Sequence, residues 1–318
     1  MRIINFKFLK KKIHFLFRSP AIGWVCLLFC LFNFSCSSDD DTPPAPSSPR
    51  LNESDSLAMV NIYKAIGPWG YEWDLENIQT WGGVQIALDL DFNEYRIVGF
   101  EYYNGTFSGV FPEDFRKLTE LRVLAISGGD LSGEIPEWIG ELKHLQYLAI
   151  GENCMTGKIP ESIGELTDLE RLIISSNQIG GKLPESLGNL TKVYRLTIVN
   201  TQVEGEIPKS LKNMKSAIVM DLANNRLSGR FPIEILTNKR LAVGCENNFI
   251  TELPFEVWKD DFVGSPPCLE GNMLSGTIPD WVFETDKWND YGNIAVDRQK
   301  EGYGYSNYRY DGYNPNKN

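Results

Sequence analysis

From residue 96 to residue 283 the apolar side chains follow a short alternation nested inside a long repeat. One stretch reads Leu145-x-x-Leu148-x-Ile150-x-x-Asn153-x-Met155-x-Gly157-x-Ile159-Pro160. Leu148 and Ile150 are two residues apart, so a strand sends them to one side and Tyr147, Ala149 and Gly151 to the other. The phrase then returns: Pro112, Pro136, Pro160, Pro184, Pro208, Pro232, Pro254 and Pro279 form one column, at steps of 24, 24, 24, 24, 24, 22 and 25 residues. A fixed period of this length predicts a solenoid, in which each coil contributes one short strand and no coil closes its core alone.

The equivalent pairs Phe100/Tyr102, Leu124/Ile126, Leu172/Ile174, Leu196/Ile198 and Met220/Leu222 are then expected to stack into one continuous core. Asn153, Asn177, Asn225, Asn248 and Asn272 recur just past the strand. An amide side chain donates and accepts at once, so a column of them can satisfy the backbone groups freed where the coils bend. Thr201 offers half of that capacity. Gly105 and Gly129 offer none, which predicts a looser turn or water there. The glycines before the prolines, Gly157 and its equivalents, allow tight backbone, and each proline blocks further strand pairing where the chain leaves the sheet.

The two ends differ from the middle. Asp55 to Ile66 has the pattern of an amphipathic capping helix stopped by Gly67, and Val84, Ile86, Leu88 and Leu90 alternate as a strand. The seventh repeat, "NNFITELP", is a residue short before its proline, and Pro266 and Pro267 stand where the eighth strand would run, so the sheet is expected to end there. After Trp288 the chain is rich in Tyr, Gly and Asn. Its tyrosines can cover the last coil, or present an aromatic surface to sugar rings or a partner's side chains.

The pattern L-x-x-L-x-L-x-x-N-x-L-x-G-x-I-P-x-x-[IL]-G-x-L resembles the 24-residue plant-type leucine-rich repeat, which also occurs in Bacteroidetes surface proteins. The resemblance covers residues 96–283 and implies an α/β solenoid, a right-handed superhelix of eight repeats with a parallel concave sheet. "WGGV" at Trp81 to Val84 and "RIVGF" at Arg96 to Phe100 are similar to the family's N-terminal cap over residues 51–95. The cysteines that flank this tryptophan in plants are missing here, leaving Trp69, Trp73 and Trp81 to close the core end by packing. Residues 284–318 would form a C-terminal cap or tail.

Ahead of the repeats, residues 1–35 combine six basic residues, no acids and an apolar run from Ala21, the layout of an export signal. The run is too short to span a bilayer comfortably. Cys36, followed by "SSDDDTPPAPSSPR", resembles the lipidation site and surface-export tether of Bacteroidetes lipoproteins, although Asn33 and Phe34 depart from the usual lipobox. A plain cleaved secretory peptide is the other reading. The resemblance implies a lipid-anchored protein exposed on the outer membrane, with residues 36–50 as a flexible tether. Asp55-Ser56-Leu57 is similar to a short O-glycosylation motif of the same bacteria.

Composition narrows the function. The whole chain carries a formal charge of -11; without the leader, 25 basic residues face 42 acidic ones, a net -17 that repels phosphate backbones and argues against nucleic acid as a partner. Downstream of the leader the single histidine is His144, so a histidine-based triad or multi-histidine metal site has nothing to build from, and no G-x-x-x-x-G-K-[ST] loop occurs. Asp89-Leu-Asp91-Phe-Asn93-Glu94 faintly resembles a calcium loop but lacks its glycine and terminal glutamate, and the alternation just before it favours a hairpin turn in the N-terminal cap. Cys245 and Cys268, one repeat apart, could pair, or Cys245 could be a small core residue with Cys268 on the opposite face. No enzyme activity, cofactor or metal is expected.

What a solenoid offers instead is surface. Between the core positions stand Tyr103, Tyr147, Arg171, Ile173, Arg195, Thr197, Val199, Asp221 and Glu246. Small and β-branched residues suit a crowded sheet, yet exposed apolar surface with Arg and Tyr is also the composition of binding hot spots. The expectation is a protein or peptide ligand on this face, with Tyr147, Arg171 and Arg195 contributing most. The alternative is a glycan-binding accessory protein or adhesin using aromatic residues of the C-terminal cap.

Overall fold

The computed structural model describes residues 49–67, 74, 77, 81–105, 107–259, 261–262, 264–288, 296 and 298–307. Cys36, Trp69, Trp73 and the tyrosines from Tyr308 onward lie outside them. Strand β1 (Arg50–Leu51) leads into helix α1 (Glu53–Ile66), whose N-cap Asn52 accepts from the Asp55 N–H at 3.2 Å. Ala58, Met59, Ile62 and Ile66 form the helix's buried stripe. Next comes a hairpin, β2 (Val84–Asp89) antiparallel to β3 (Glu94–Tyr103). Its turn is shaped by Asp89, whose Oδ1 accepts from the N–H groups of Asp91 and Phe92, and by Asn93 in the left-handed region. Asp89 is therefore occupied as a turn-former.

Coil follows coil from β3. The concave strands are β5 (Val123–Ser127), β7 (Tyr147–Gly151), β8 (Arg171–Ser175), β9 (Arg195–Val199), β11 (Val219–Asp221) and β13 (Ala242–Gly244), all parallel and in unbroken register. Each column proline caps a short 3-10 helix on the far side of the coil, from Glu113–Lys117 to Asp280–Glu284. A second line of short strands runs along the flank: β4 (Ser108–Val110) with β6 (Asp130–Ser132), β10 (Glu204–Gly205) with β12 (Arg226–Arg230) and β14 (Phe249–Glu252), and β15 (Ser275–Gly276) with β16 (Gly304–Tyr305). The concave sheet dwindles after β13 to one bridge, Gly244 to Cys268, beside Pro266 and Pro267. Among the described residues no helix is long and apolar enough to cross a membrane.

The interior is one column of aliphatic layers; Leu148, Ile150, Leu172, Ile174, Leu196 and Ile198 have no exposed surface. Beside it runs the amide ladder. Asn177 accepts from the Met155 N–H at 3.1 Å and donates to the carbonyls of Ile150 and Ser175. Asn153, Asn248 and Asn272 repeat this geometry. At Thr201 the pattern turns toward the following coil: its hydroxyl donates to Asn225 Oδ1 at 2.5 Å, and Asn225 donates to the Ile198 carbonyl. Past the last asparagine the ladder continues through Gln299, which accepts from the Leu274 N–H at 3.0 Å and donates to the Leu269 carbonyl.

At the other end the expected looseness is absent. Phe107, 1% exposed, lays its ring against both ladder glycines, and a Cβ built on Gly105 or Gly129 would lie 2.4 Å from that ring. An aromatic face thus replaces two amide rungs and fills the volume. The residue before each rung passes through the left-handed region: Asn104, Gly128, Glu152, Ser176, Asn200, Asn224, Asn247, Gly271 and Arg298. Asn and Gly tolerate that conformation well, the others less so.

Helix α1 is fastened by a buried ion pair. Asp55, 0% exposed, receives Arg96 Nε at 2.9 Å, Arg96 Nη2 at 3.2 Å and the Ile97 N–H at 2.9 Å. These bonds raise the Arg96 pKa further. The Asp55 side chain is thus committed to the fold, whatever becomes of Ser56.

Two substitutions test this framework. Asp55→Ala leaves the Ile97 N–H without its acceptor and Arg96 with Thr119 in place of its carboxylate, with an expected loss of roughly 3 kcal/mol in urea unfolding, and Asp55→Asn, which keeps an acceptor, loses less. Gly129→Asn overpacks against Phe107, with an expected loss of roughly 1–3 kcal/mol; adding Phe107→Leu makes room for the amide and recovers most of it.

Candidate functional site

The register of the concave strands decides which side chains become neighbours. Tyr147, Arg171 and Arg195 are direct partners across β7, β8 and β9. Neighbouring strands stand about 4.8 Å apart, so the three form one transverse row. The Arg171 guanidinium lies 3.9 Å from the centre of the Tyr147 ring, a cation–π stack that holds it flat against the sheet. Among the described residues no ion pair links Arg171 to a carboxylate. Two like charges directly opposite on adjacent strands work against the fold, and here nothing in the repeat requires them.

The next row is Ala125, Ala149, Ile173, Thr197, Asp221 and Gly244. Ala125 and Ala149 are buried, so the floor of this face is smooth between the larger residues. Thr197 is only 5% exposed, with Arg195 Nε donating to its hydroxyl at 3.5 Å; it supports Arg195 and is not open surface. Ile173 and Val199 are half-buried. Tyr103, 51% exposed, stands at the N-terminal rim, its hydroxyl donating to Glu101 at 3.3 Å. Burial and hydrogen bonding to Tyr147 push its pKa well up, so Tyr103 stays a neutral donor.

The other end of the face is acidic. A Cβ built on Gly244 would lie 2.8 Å from Glu246 Oε2 and 3.5 Å from Asp221 Oδ1, so both carboxylates converge over that glycine. Burial raises the Asp221 pKa, against the opposing effects of the Ala223 N–H at 3.2 Å and the charge of Arg195. The face therefore runs from an aromatic rim through a cationic row to an acidic end. Gly244 is what lets the acids approach, a feature that the strand pattern alone does not reveal.

The two downstream cysteines sit on opposite sides of the sheet. Cys268 is in register with Gly244, a concave position, whereas Cys245 points into the core with no exposed surface. Their side chains diverge and no disulfide joins them. Burial raises the Cys245 pKa well above the ordinary thiol value, which keeps it an unreactive thiol.

The repeat phrase and the stacked parallel strands carry the comparison with known proteins. Residues 86–230 match the family described as "Leucine-rich repeat region". The fold is a leucine-rich-repeat solenoid. Its repeats are of the plant type, and similar solved structures come from plants. The ectodomain of the Arabidopsis thaliana receptor kinase GASSHO1/SCHENGEN3, in complex with CASPARIAN STRIP INTEGRITY FACTOR 2, is 25% identical, with a TM-score of 0.64 over 73% of this chain and 28% of that one. The Arabidopsis HAESA ectodomain with its IDA peptide hormone ligand is 31% identical, TM-score 0.52, over 59% of this chain and 32% of that one. The plant peptide hormone receptor RGFR1 in complex with RGF2 is 29% identical, TM-score 0.52, over 57% and 29%. The chain thus spans about a third or less of these ectodomains. Comparison with curated proteins finds no match.

Asp221 carries a pH prediction. In the unfolded solenoid it titrates at the ordinary carboxylate value, while in the folded one it holds its proton to higher pH. Stability therefore falls as pH rises from roughly pH 4 through the raised value. Asp221→Asn keeps the acceptor for Ala223 and removes this loss. It should be more stable than the parent at neutral pH and indistinguishable below roughly pH 4, in denaturant titrations at the two pH values.

Proposed function

We propose that the concave face of this leucine-rich-repeat solenoid binds an extended peptide segment of a partner protein, on a chain displayed at the cell surface through lipid on Cys36. The observation that carries the reading is the Tyr147–Arg171–Arg195 row. Two guanidinium groups in direct register, one flattened on an aromatic ring, present a cluster of donors on which a peptide carboxylate can seat. The buried alanines beside the row leave a shallow trough at strand spacing, and a peptide running across the coils meets cationic groups first and the Asp221–Glu246 pair later. Charge order then fixes its direction: acidic residues over the arginines, basic ones over the acids. The peptide and protein complexes of the plant ectodomains support the choice of ligand class. Surface display rests on the leader and on "CSSDDD". No catalytic role is proposed, since the matched family is a repeat region.

Panning random peptides against the protein should enrich acidic sequences. Tyr147→Ala with Arg171→Glu and Arg195→Glu should weaken the winners by at least about tenfold, as expected for Tyr and Arg hot spots. Winners that bind the variant as tightly as the parent would remove the concave face from consideration.

A further inference from the structure

We propose a second site, on the flank of the C-terminal coils, that binds a neutral hexopyranose unit of an oligosaccharide; it does not depend on the peptide reading. Its origin is the short seventh coil. The step from Asn248 to Pro254 is six residues, where those from Asn225 to Pro232 and from Asn272 to Pro279 are each seven. The flank register slips between Gly229 and Arg230, and no strand pairing joins β14 to β15 among the described residues. Where the flank strands part there is a cavity of about 560 Å³. That lies within the range of small-molecule sites, roughly 300–1,000 Å³.

Its lining has the two chemistries that a sugar ring needs. Trp281, 39% exposed, offers a broad aromatic face, and Phe255 and Tyr305, paired at 5.8 Å between ring centres, belong to the same lining. Ring faces carry negative charge density and suit the C–H face of a pyranose. At the edge, Arg230 Nη1 meets Glu252 Oε1 at 2.7 Å, with both side chains more than half exposed. This pair presents donors beside an acceptor, so two vicinal hydroxyls can donate to the carboxylate and accept from the guanidinium at once.

Tyr305 adds a polar group at the edge of the same lining: its ring is largely buried, and its hydroxyl, with no hydrogen bond among the described residues, keeps contact with solvent. A sugar hydroxyl, which both donates and accepts, can take the place of water on that group. With Arg230 opposed by Glu252 and Glu256, the lining leans acidic and disfavours uronate or phosphate ligands.

The test is affinity electrophoresis and calorimetry of the protein with neutral gluco-, manno- and galacto-oligosaccharides, alongside oligogalacturonate and chitosan oligomers. At least one neutral series should bind. Trp281→Ala, an exposed change that leaves the core intact, should weaken binding by at least about tenfold, and Tyr305→Phe and Glu252→Gln by several-fold. The Arg171→Glu, Arg195→Glu variant should bind the sugar unchanged, which separates this site from the concave face. No neutral binding at millimolar ligand, binding only to the charged oligomers, or binding that survives Trp281→Ala would overturn the proposal.

Discussion

The structure depends on satisfying the backbone where each coil bends. A chain that turns out of a parallel sheet once per coil releases N–H and C=O groups that neither sheet nor 3-10 helix can pair, and burying them without partners would cost more than any single aliphatic layer contributes. One amide per coil answers both polarities: Oδ1 takes an N–H from the coil before, and Nδ2 reaches carbonyls on both coils, as Asn177 does between Met155 and Ile150. The rungs hold the coils in register, and register places Tyr147 beside Arg171 and Arg195. The ladder ends in two ways. Phe107 fills the space that amides would occupy over the glycines, and Gln299, one methylene longer than asparagine, reaches back from a strand-poor segment to make the same pair of bonds.

Much of this was legible because the constraint repeats. A residue that must satisfy the same backbone groups in every coil recurs at a fixed step, so the rungs Asn153 to Asn272, the aliphatic pairs and the column prolines stood out in the sequence. What did not repeat was harder to see. Nothing in the spacing announced that Phe107 would serve Gly105 and Gly129 together, since the ring comes from two residues past one glycine and 22 before the other. Gln299 falls outside the asparagine column. Asp55 looked like part of a short surface motif, and its pairing with Arg96 spans 41 residues. Thr197 looked accessible because alternation gives the side of a sheet and not what lies over it.

The concave face and the C-terminal flank show two ways in which a repeat acquires individuality. On the concave face the backbone is uniform and only the side chains vary, so individuality is written in the order of charges along a common register. On the flank the backbone itself departs from the repeat. One residue fewer between Asn248 and Pro254 shifts the pairing and parts two strands without disturbing Leu253, Val257 or Leu274 in the core beneath.

The fastening of helix α1 bears on mechanics. Tension arriving along the chain ahead of Arg50 meets β1 lying parallel to β3, so the load falls along the strands and stretches several bonds together. Asn52 holds Tyr95 and Glu94, and Asp55 holds Arg96 and Ile97, within one short stretch of β3. This is a shear clamp: a pull distributed over it must break those contacts nearly at once, whereas the same bonds loaded one by one would unzip at much lower force. A protein hung from its N-terminal segment in flowing liquid would keep its coils folded behind that clamp.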